Sequence, residues 1–116
     1  MAHLNLSFII ENVSDENAFI VMLLGVFKSN LGPDVDALRK SITLIDHEQI
    51  KKDAHKVKSS FRSLGMDGMT HTLQEIEDMG KDKKDIHLIE EKFQNFESKV
   101  PQVTQEVDQY ISENPE

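Results

Sequence analysis

The 116-residue chain has no cysteine, so disulfide frameworks and thiolate metal sites are excluded and a reducing compartment fits. Glycine and proline are scarce, at 5 and 3 residues, and with 38% hydrophobic and 29% charged residues this suits a soluble helical protein. Long hydrophobic runs are missing too. The longest, Ala18 to Leu24, is far too short to span a bilayer, so no direct membrane insertion is expected. The N-terminus lacks the basic region and cleavage site of a secretory signal, which points to a cytoplasmic location. Positive charge is in deficit: 13 Lys and Arg stand against 21 Asp and Glu, for a formal net charge of -8. Nucleic-acid binding is therefore not expected, because it needs a basic face to neutralise phosphates. The length suits one domain, residues 1–116, with a core over about 4–111.

What is present is helical periodicity. Leu6, Ile9, Ile10 and Val13 predict a short first helix, capped by Asn5 or Ser7, that docks rather than stands alone. Ser14, Asp15 and Glu16 supply a cap and an acidic first turn for a second helix running to about Asn30. Its core stripe is Ile20, Leu23, Phe27 and Leu31. Phe19, Met22 and Val26 make a second apolar side, expected to be covered mostly by the first helix. Gly32-Pro33 punctuates the pattern. Val35, Leu38, Ile42 and Ile45 follow as a separate helix or as a continuation through a bend. Asp46 with Gln49 opens the next helix as a capping box, and Gly65 closes it with Met66 as the accompanying contact. Asp67 caps a helix striped by Met69, Leu73 and Ile76, which Gly80 stops; residues 81–85 form a polar loop. Ile86, Ile89, Phe93, Phe96, Val100, Val103, Val107 and Tyr110 form the most regular seam, with a bend expected at Pro101 and fraying from Ser112. No strand pattern or repeat is present. The expectation is an all-α fold, an antiparallel four-helix bundle with a short extra N-terminal helix.

The helix that Asp46 caps and that ends at Leu64 carries the chemistry. At about 100° per residue, Ile50, Ala54, Val57, Phe61 and Leu64 share one face, and His55 lies about 140° from its middle. Lys51, Lys58 and Arg62 fall within about 60° of His55. Five basic residues (Lys51, Lys52, Lys56, Lys58, Arg62) stand against Asp53 alone in this window, whereas the rest of the chain has 8 basic and 20 acidic residues. Most lysine runs are solvated surface, but this one surrounds an exposed histidine in an acidic chain. Imidazole, with a reference pKa of about 6.5, offers a neutral nucleophilic nitrogen at neutral pH. It can accept a phosphoryl group, and Lys58, at i+3, can reach the resulting negative oxygens as a point charge.

The run from Ala54 to Gly65 resembles the signature of histidine-containing phosphotransfer (Hpt) domains: an Ala-His pair, Lys three residues after the His, a small residue next, and Gly ten after the His. Ala54, His55, Lys58 and Gly65 match directly; Ser59 stands where many members have glycine. The opening Leu-Asn-Leu, the acidic cap before an apolar helix containing Phe27 and the Leu-rich helix that follows extend the resemblance over roughly residues 4–111. It implies a phosphorelay intermediate, in which His55 takes a phosphoryl group from a receiver-domain aspartyl phosphate and passes it to another receiver aspartate. The implied partners are response-regulator receiver domains and a hybrid sensor histidine kinase, with a monomeric carrier between them. The receiver would bring Mg²⁺ and the acidic pocket, so no cofactor of the carrier's own is expected. Lys58 would support the phosphorylated state, and Lys51, Ser59 and Arg62 would rim an apolar docking patch.

Two other readings compete. A non-catalytic helical adaptor would leave His55 incidental. The phosphoacceptor domain of a histidine kinase would need ATP chemistry, but no Gly-rich nucleotide loop is present. Lys56 and Ser60 also occupy the places of the Glu and Pro of the kinase dimerisation motif, so no kinase activity is expected. His47, His71 and His87 lack the partners of a metal site; His71 and Glu75 are two ligands at best. The five Met residues are core filler, with Met66 or Met69 able to touch a partner.

Overall fold

Apolar residues recur every three or four positions along most of the chain, and helices gather them onto one side. The computed structural model describes residues 3–114, which form an all-α fold. Its elements are α1 (Leu6–Asn12), α2 (Asn17–Thr43), α3 (His47–Ser63), α4 (Asp67–Lys81) and α5 (Ile86–Glu113). α3 packs against α2 and α4, and α5 packs against the same two, so the long helices enclose one core. At its centre the Phe61 ring of α3 meets Phe27 of α2 and Phe96 of α5 edge-on, at centroid distances of 5.2 and 5.7 Å. Truncating a ring buried this way costs about 3–5 kcal/mol, so this contact fixes the rotation of α3 about its own axis.

The helix ends follow from local hydrogen bonds. Asn5 caps α1 by accepting from the Phe8 amide, and Asp46 caps α3 by accepting from the Gln49 amide. Gly65 ends α3 at φ 71, with the Met66 amide donating to Phe61 O and the Gly65 amide to Arg62 O. A Cβ there would also lie 2.4 Å from Cγ of Phe8, so glycine serves both the turn and the docking of α1. Met66 is buried beneath it.

Of the two alternatives at Gly32-Pro33 the continuation holds: α2 runs unbroken from Asn17 to Thr43 with Pro33 inside. Several other expectations are corrected. Leu24, not Leu23, joins Ile20, Phe27 and Leu31 in the core. Ile45 is not core. It sits past the helix end at φ 54 and is 56% exposed, the left-handed position of a turn in which the Asp46 amide reaches Ser41 O. Ser14 does not cap α2: its hydroxyl accepts from the Glu16 amide, and the first turn carries no acidic residue. Met66 rather than Asp67 precedes α4, with no side-chain cap. Gly80 does not stop α4, which runs to Lys81 with Asp82 as its C-cap; Lys83, beyond the helix, takes the left-handed conformation. Gly80 is instead a point of close approach, where a Cβ would lie 3.0 Å from the Lys51 amide nitrogen and 3.1 Å from His47 O. α5 continues through Pro101 to Glu113, and Asn17 donates to the Asn114 carbonyl, so residues 112–114 are tied down, while the rest of the tail expected to fray lies outside the described residues.

The apolar surface of α1 and α2 also differs from the expectation. α1 buries Ile9 but leaves Ile10 and Val13 exposed, and it does not cover the second side of α2: Met22 is 55% and Val26 54% exposed. α2 is, by length and composition alone, long and apolar enough to cross a membrane, with mean hydropathy 1.3 over its best window. A count of uninterrupted apolar residues stops at Gly25, whereas Val26, Phe27, Leu31 and Val35 beyond it keep the mean high despite Lys28 and Asp34. One side of that helix nevertheless lies inside the core, through Ile20, Leu24, Phe27 and Leu31. The buried carboxylate of Glu106 on α5 accepts from the amides of Leu4 at 2.8 Å and His3 at 3.0 Å, which anchors the N-terminal segment.

Candidate functional site

Burial of Ile50, Ala54, Val57 and Phe61 turns the opposite side of α3 outward. His55 lies there, in mid-helix, with its side chain 56% exposed. The neighbouring α4 comes close because Gly80 has no side chain to hold it off. This brings Gln74 and Glu77, beside the buried Leu73 and Ile76, against the flank of α3.

Glu77 Oε1 lies 3.1 Å from His55 Nδ1 and 2.8 Å from Lys58 Nζ. An ionised carboxylate only accepts, so Nδ1 is the protonated nitrogen of the neutral ring and Nε2 carries the lone pair. Lys58 Nζ also donates to Gln74 Oε1 at 2.8 Å, and Gln74 Nε2 donates to Asp78 Oδ1 at 2.9 Å. Burial pushes the Glu77 carboxyl up, but hydrogen bonds and charge from Lys58 and then His55 outweigh it and hold the group below its ordinary value. Glu77 is thus a carboxylate at neutral pH, set between an imidazole and an ammonium.

The structure gathers His55 and Lys58 but not in the way their spacing suggested. Lys58 was expected on the exposed face, free to reach outward; its side chain is 7% exposed and folded into the seam between α3 and α4. Lys58 lies about 80° from the middle of the buried face, near enough for its long stem to lie along apolar surface while its ammonium meets acceptors on the neighbouring helix. Lys51 is held by Glu48 at 3.2 Å, and Ser59 donates its hydroxyl to the His55 carbonyl at 3.0 Å. Arg62 is exposed, while Lys56 crosses to Asp34 of α2 at 3.2 Å. His47 bonds the Lys84 carbonyl through Nε2, and His71 and His87 are exposed beside Glu75 and Glu90. Sequence reasoning missed Glu77 and Gln74. Their only signal was a polar pair flanking the core stripe of the next helix, and periodicity within one helix does not register it against another.

A family model, the Hpt domain, matches residues 22–113. The chain belongs to the Hpt family. Searches of curated proteins and of solved structures return no match. Hpt domains are helical phosphocarrier modules of phosphorelays, not kinases. The matched span of this Hpt domain holds His55, Lys58, Gln74, Glu77 and Asp78, and leaves α1 and the first residues of α2 outside.

Proposed function

We propose that this Hpt domain, an antiparallel four-helix bundle, carries a phosphoryl group on Nε2 of His55 between receiver domains of a multistep two-component phosphorelay. The observation that supports this most is the Glu77 contact to Nδ1, which leaves Nε2 as the nucleophile of a half-exposed imidazole. In the step proposed, the Nε2 lone pair forms a bond to phosphorus of a receiver's aspartyl phosphate. The bond from phosphorus to the aspartate oxygen breaks, and its electron pair leaves with the carboxylate. Nδ1 keeps its proton throughout, so the ring becomes cationic beside the Glu77 carboxylate, which stabilises that charge. Onward transfer reverses these events at a second receiver aspartate. The receiver supplies Mg²⁺ and the acidic pocket.

Lys58 supports the phosphoryl group electrostatically from its place on Glu77. Without it the Glu77 charge would oppose an arriving phosphoryl group; with it the pair is neutral. Docking uses the apolar face of Ile10, Val13, Phe19, Met22 and Val26, left uncovered in the structure, with Lys51, Ser59 and Arg62 as its rim. Such encounters combine modest burial with charge steering. The carrier works as a cytoplasmic monomer, served by a hybrid sensor histidine kinase. Incubation with a phosphorylated receiver, followed by mass spectrometry, tests the reading. One label is expected on His55, stable in base and lost in mild acid, as phosphoramidates are. Partner binding with no label would instead support an adaptor.

A further inference from the structure

Lys58 Nζ has two acceptors, Glu77 Oε1 and Gln74 Oε1, each 2.8 Å away. The phosphotransfer reading uses the first; the second has had no role so far. The orientation of the Gln74 amide is dictated by its neighbours. The Asp78 carboxylate accepts only, so it takes Nε2, and the Lys58 ammonium donates only, so it takes Oε1. An ordered line results along the seam of α3 and α4: Asp78, Gln74, Lys58, Glu77, His55. A lysine held at one point keeps much of the freedom of its four-carbon stem, and a carboxylate bonded to it would move with it. A lysine buried along its stem and held at two points does not. Its ammonium has one place to sit, and Glu77 Oε1 has one place to meet both Nζ and Nδ1.

We propose that Gln74, aimed by Asp78, is a positioning residue for phosphotransfer: it fixes Lys58 Nζ so that Glu77 Oε1 stays on the Nδ1 proton of His55. This rests on His55 being the acceptor, and it goes beyond that reading because Gln74 touches neither the ring nor the phosphoryl group. The consequence is tautomeric. Free neutral histidine in water favours the proton on Nε2, the form that cannot attack through Nε2. The line of contacts holds the other form, and loosening it returns part of the population to the unreactive one.

The test uses the full chain with nitrogen-15 in its histidines, Gln74→Met as the variant and His55 ring-nitrogen signals as the first readout, taken without any receiver. The Nδ1-protonated signature should weaken in Gln74→Met. Uptake from a phosphorylated receiver should slow by about two- to tenfold at saturating receiver, the worth of one hydrogen bond. The receiver concentration for half-maximal rate should not move. The double variant Gln74→Glu/Asp78→Asn restores an acceptor at 74 and a donor at 78 with the same total charge. It should recover both readouts, whereas Gln74→Glu alone sets two carboxylates together and should not. Unchanged ring signals and rate in Gln74→Met would overturn the proposal. So would a loss confined to the half-maximal concentration, which would make Gln74 a docking residue. Full uptake by His55→Gln would overturn the phosphotransfer reading instead, and the receiver-free ring signals would still show whether Gln74 governs the tautomer.

Discussion

His55 and His71 each lie against a glutamate that also holds a lysine, and the two groups differ in how they are built. At His55 a single oxygen, Glu77 Oε1, takes Nδ1 at 3.1 Å and Lys58 Nζ at 2.8 Å. At His71 the glutamate divides its oxygens, Oε1 of Glu75 lying 3.4 Å from Nε2 and Oε2 lying 2.9 Å from Lys92 Nζ. The Lys58 side chain is 7% exposed and that of Lys92 41%. Both groups bridge two helices, but the first does so across the packed seam of α3 and α4, while the second links α4 to α5 at the surface and His71 and Glu75 are neighbours on one helix. Exposed pairs of the second kind contribute about 0–1 kcal/mol and hold no side chain in one place. Composition therefore does not separate the two groups. Burial of the lysine turns a surface ion pair into a support for an imidazole, and the supported ring is left with Nε2 free, whereas the contact at His71 takes Nε2 itself.

The largest expected difference is in the chemistry. His55→Gln should abolish phosphoryl uptake from a phosphorylated receiver, and His71→Gln should leave it intact, read as acid-labile label per chain. Label lost in the second variant and kept in the first would reverse the comparison.

The lysines come next. Lys58→Ala strands Glu77 and Gln74 in a partly buried seam, so it should cost about 1–3 kcal/mol of stability. It should also slow uptake by about tenfold without ending it, because Nε2 remains. Lys92→Ala should change stability by less than about 0.5 kcal/mol and leave uptake alone. Urea midpoints and labelling time courses would show both. Equal effects from the two substitutions would mean that burial of Lys58 carries no weight.

The seam itself can be opened. A Cβ added at Gly80 would press on backbone atoms of Lys51 and His47 at 3.0 and 3.1 Å, and backbone gives way less readily than a side-chain tip. Gly80→Ala should destabilise by about 1–3 kcal/mol. It should loosen the Glu77 contact to His55 while leaving His71, Glu75 and Lys92 undisturbed. A thermal melt and the His55 ring signals check the two halves of this expectation.

Much of this was legible in the sequence, for a reason that also marks the limit. The stripe through Ile50, Ala54, Val57 and Phe61 fixes which side of α3 faces out, so the exposure of His55 could be read from one helix alone. Capping by Asn5 and Asp46, and the stop at Gly65, are likewise matters of a few adjacent residues. What could not be read depends on two helices at once. The burial of Lys58 needs Glu77 and Gln74 opposite it. The role of Gly80 needs the backbone of α3 alongside, and a glycine near the end of a pattern looks the same whether it stops a helix or admits a neighbour. Ile45 shows a local limit as well: a β-branched residue in the left-handed position runs against propensity, so nothing in the pattern separated it from the core stripe it continues.

The smallest expected effect is in acid and separates the two glutamates. Glu77 is held below its ordinary pKa in the folded chain, despite burial, by Lys58 and His55. A carboxyl depressed on folding contributes stability that is present above its unfolded value, 4.5, and lost as pH falls through the lower folded value. At neutral pH Glu77→Gln should therefore be less stable than the wild type, by about 1 kcal/mol, since the amide keeps one contact to Lys58 or His55 but not the charge. That gap should begin to close as pH falls below 4.5 and vanish once pH is below the lower folded value, where wild-type Glu77 is protonated and the two side chains are alike in charge. Both proteins should still lose stability in acid through Glu106, which the Leu4 and His3 amides hold below its ordinary value against the opposing effect of burial. Glu75→Gln should change neutral-pH stability by less than about 0.5 kcal/mol, as a surface position. Urea midpoints measured from neutral pH into acid give the answer. A gap between wild type and Glu77→Gln that stayed constant with pH would mean that the carboxylate is not held by its two neighbours, and the distinction between the two histidine sites would lose its electrostatic basis.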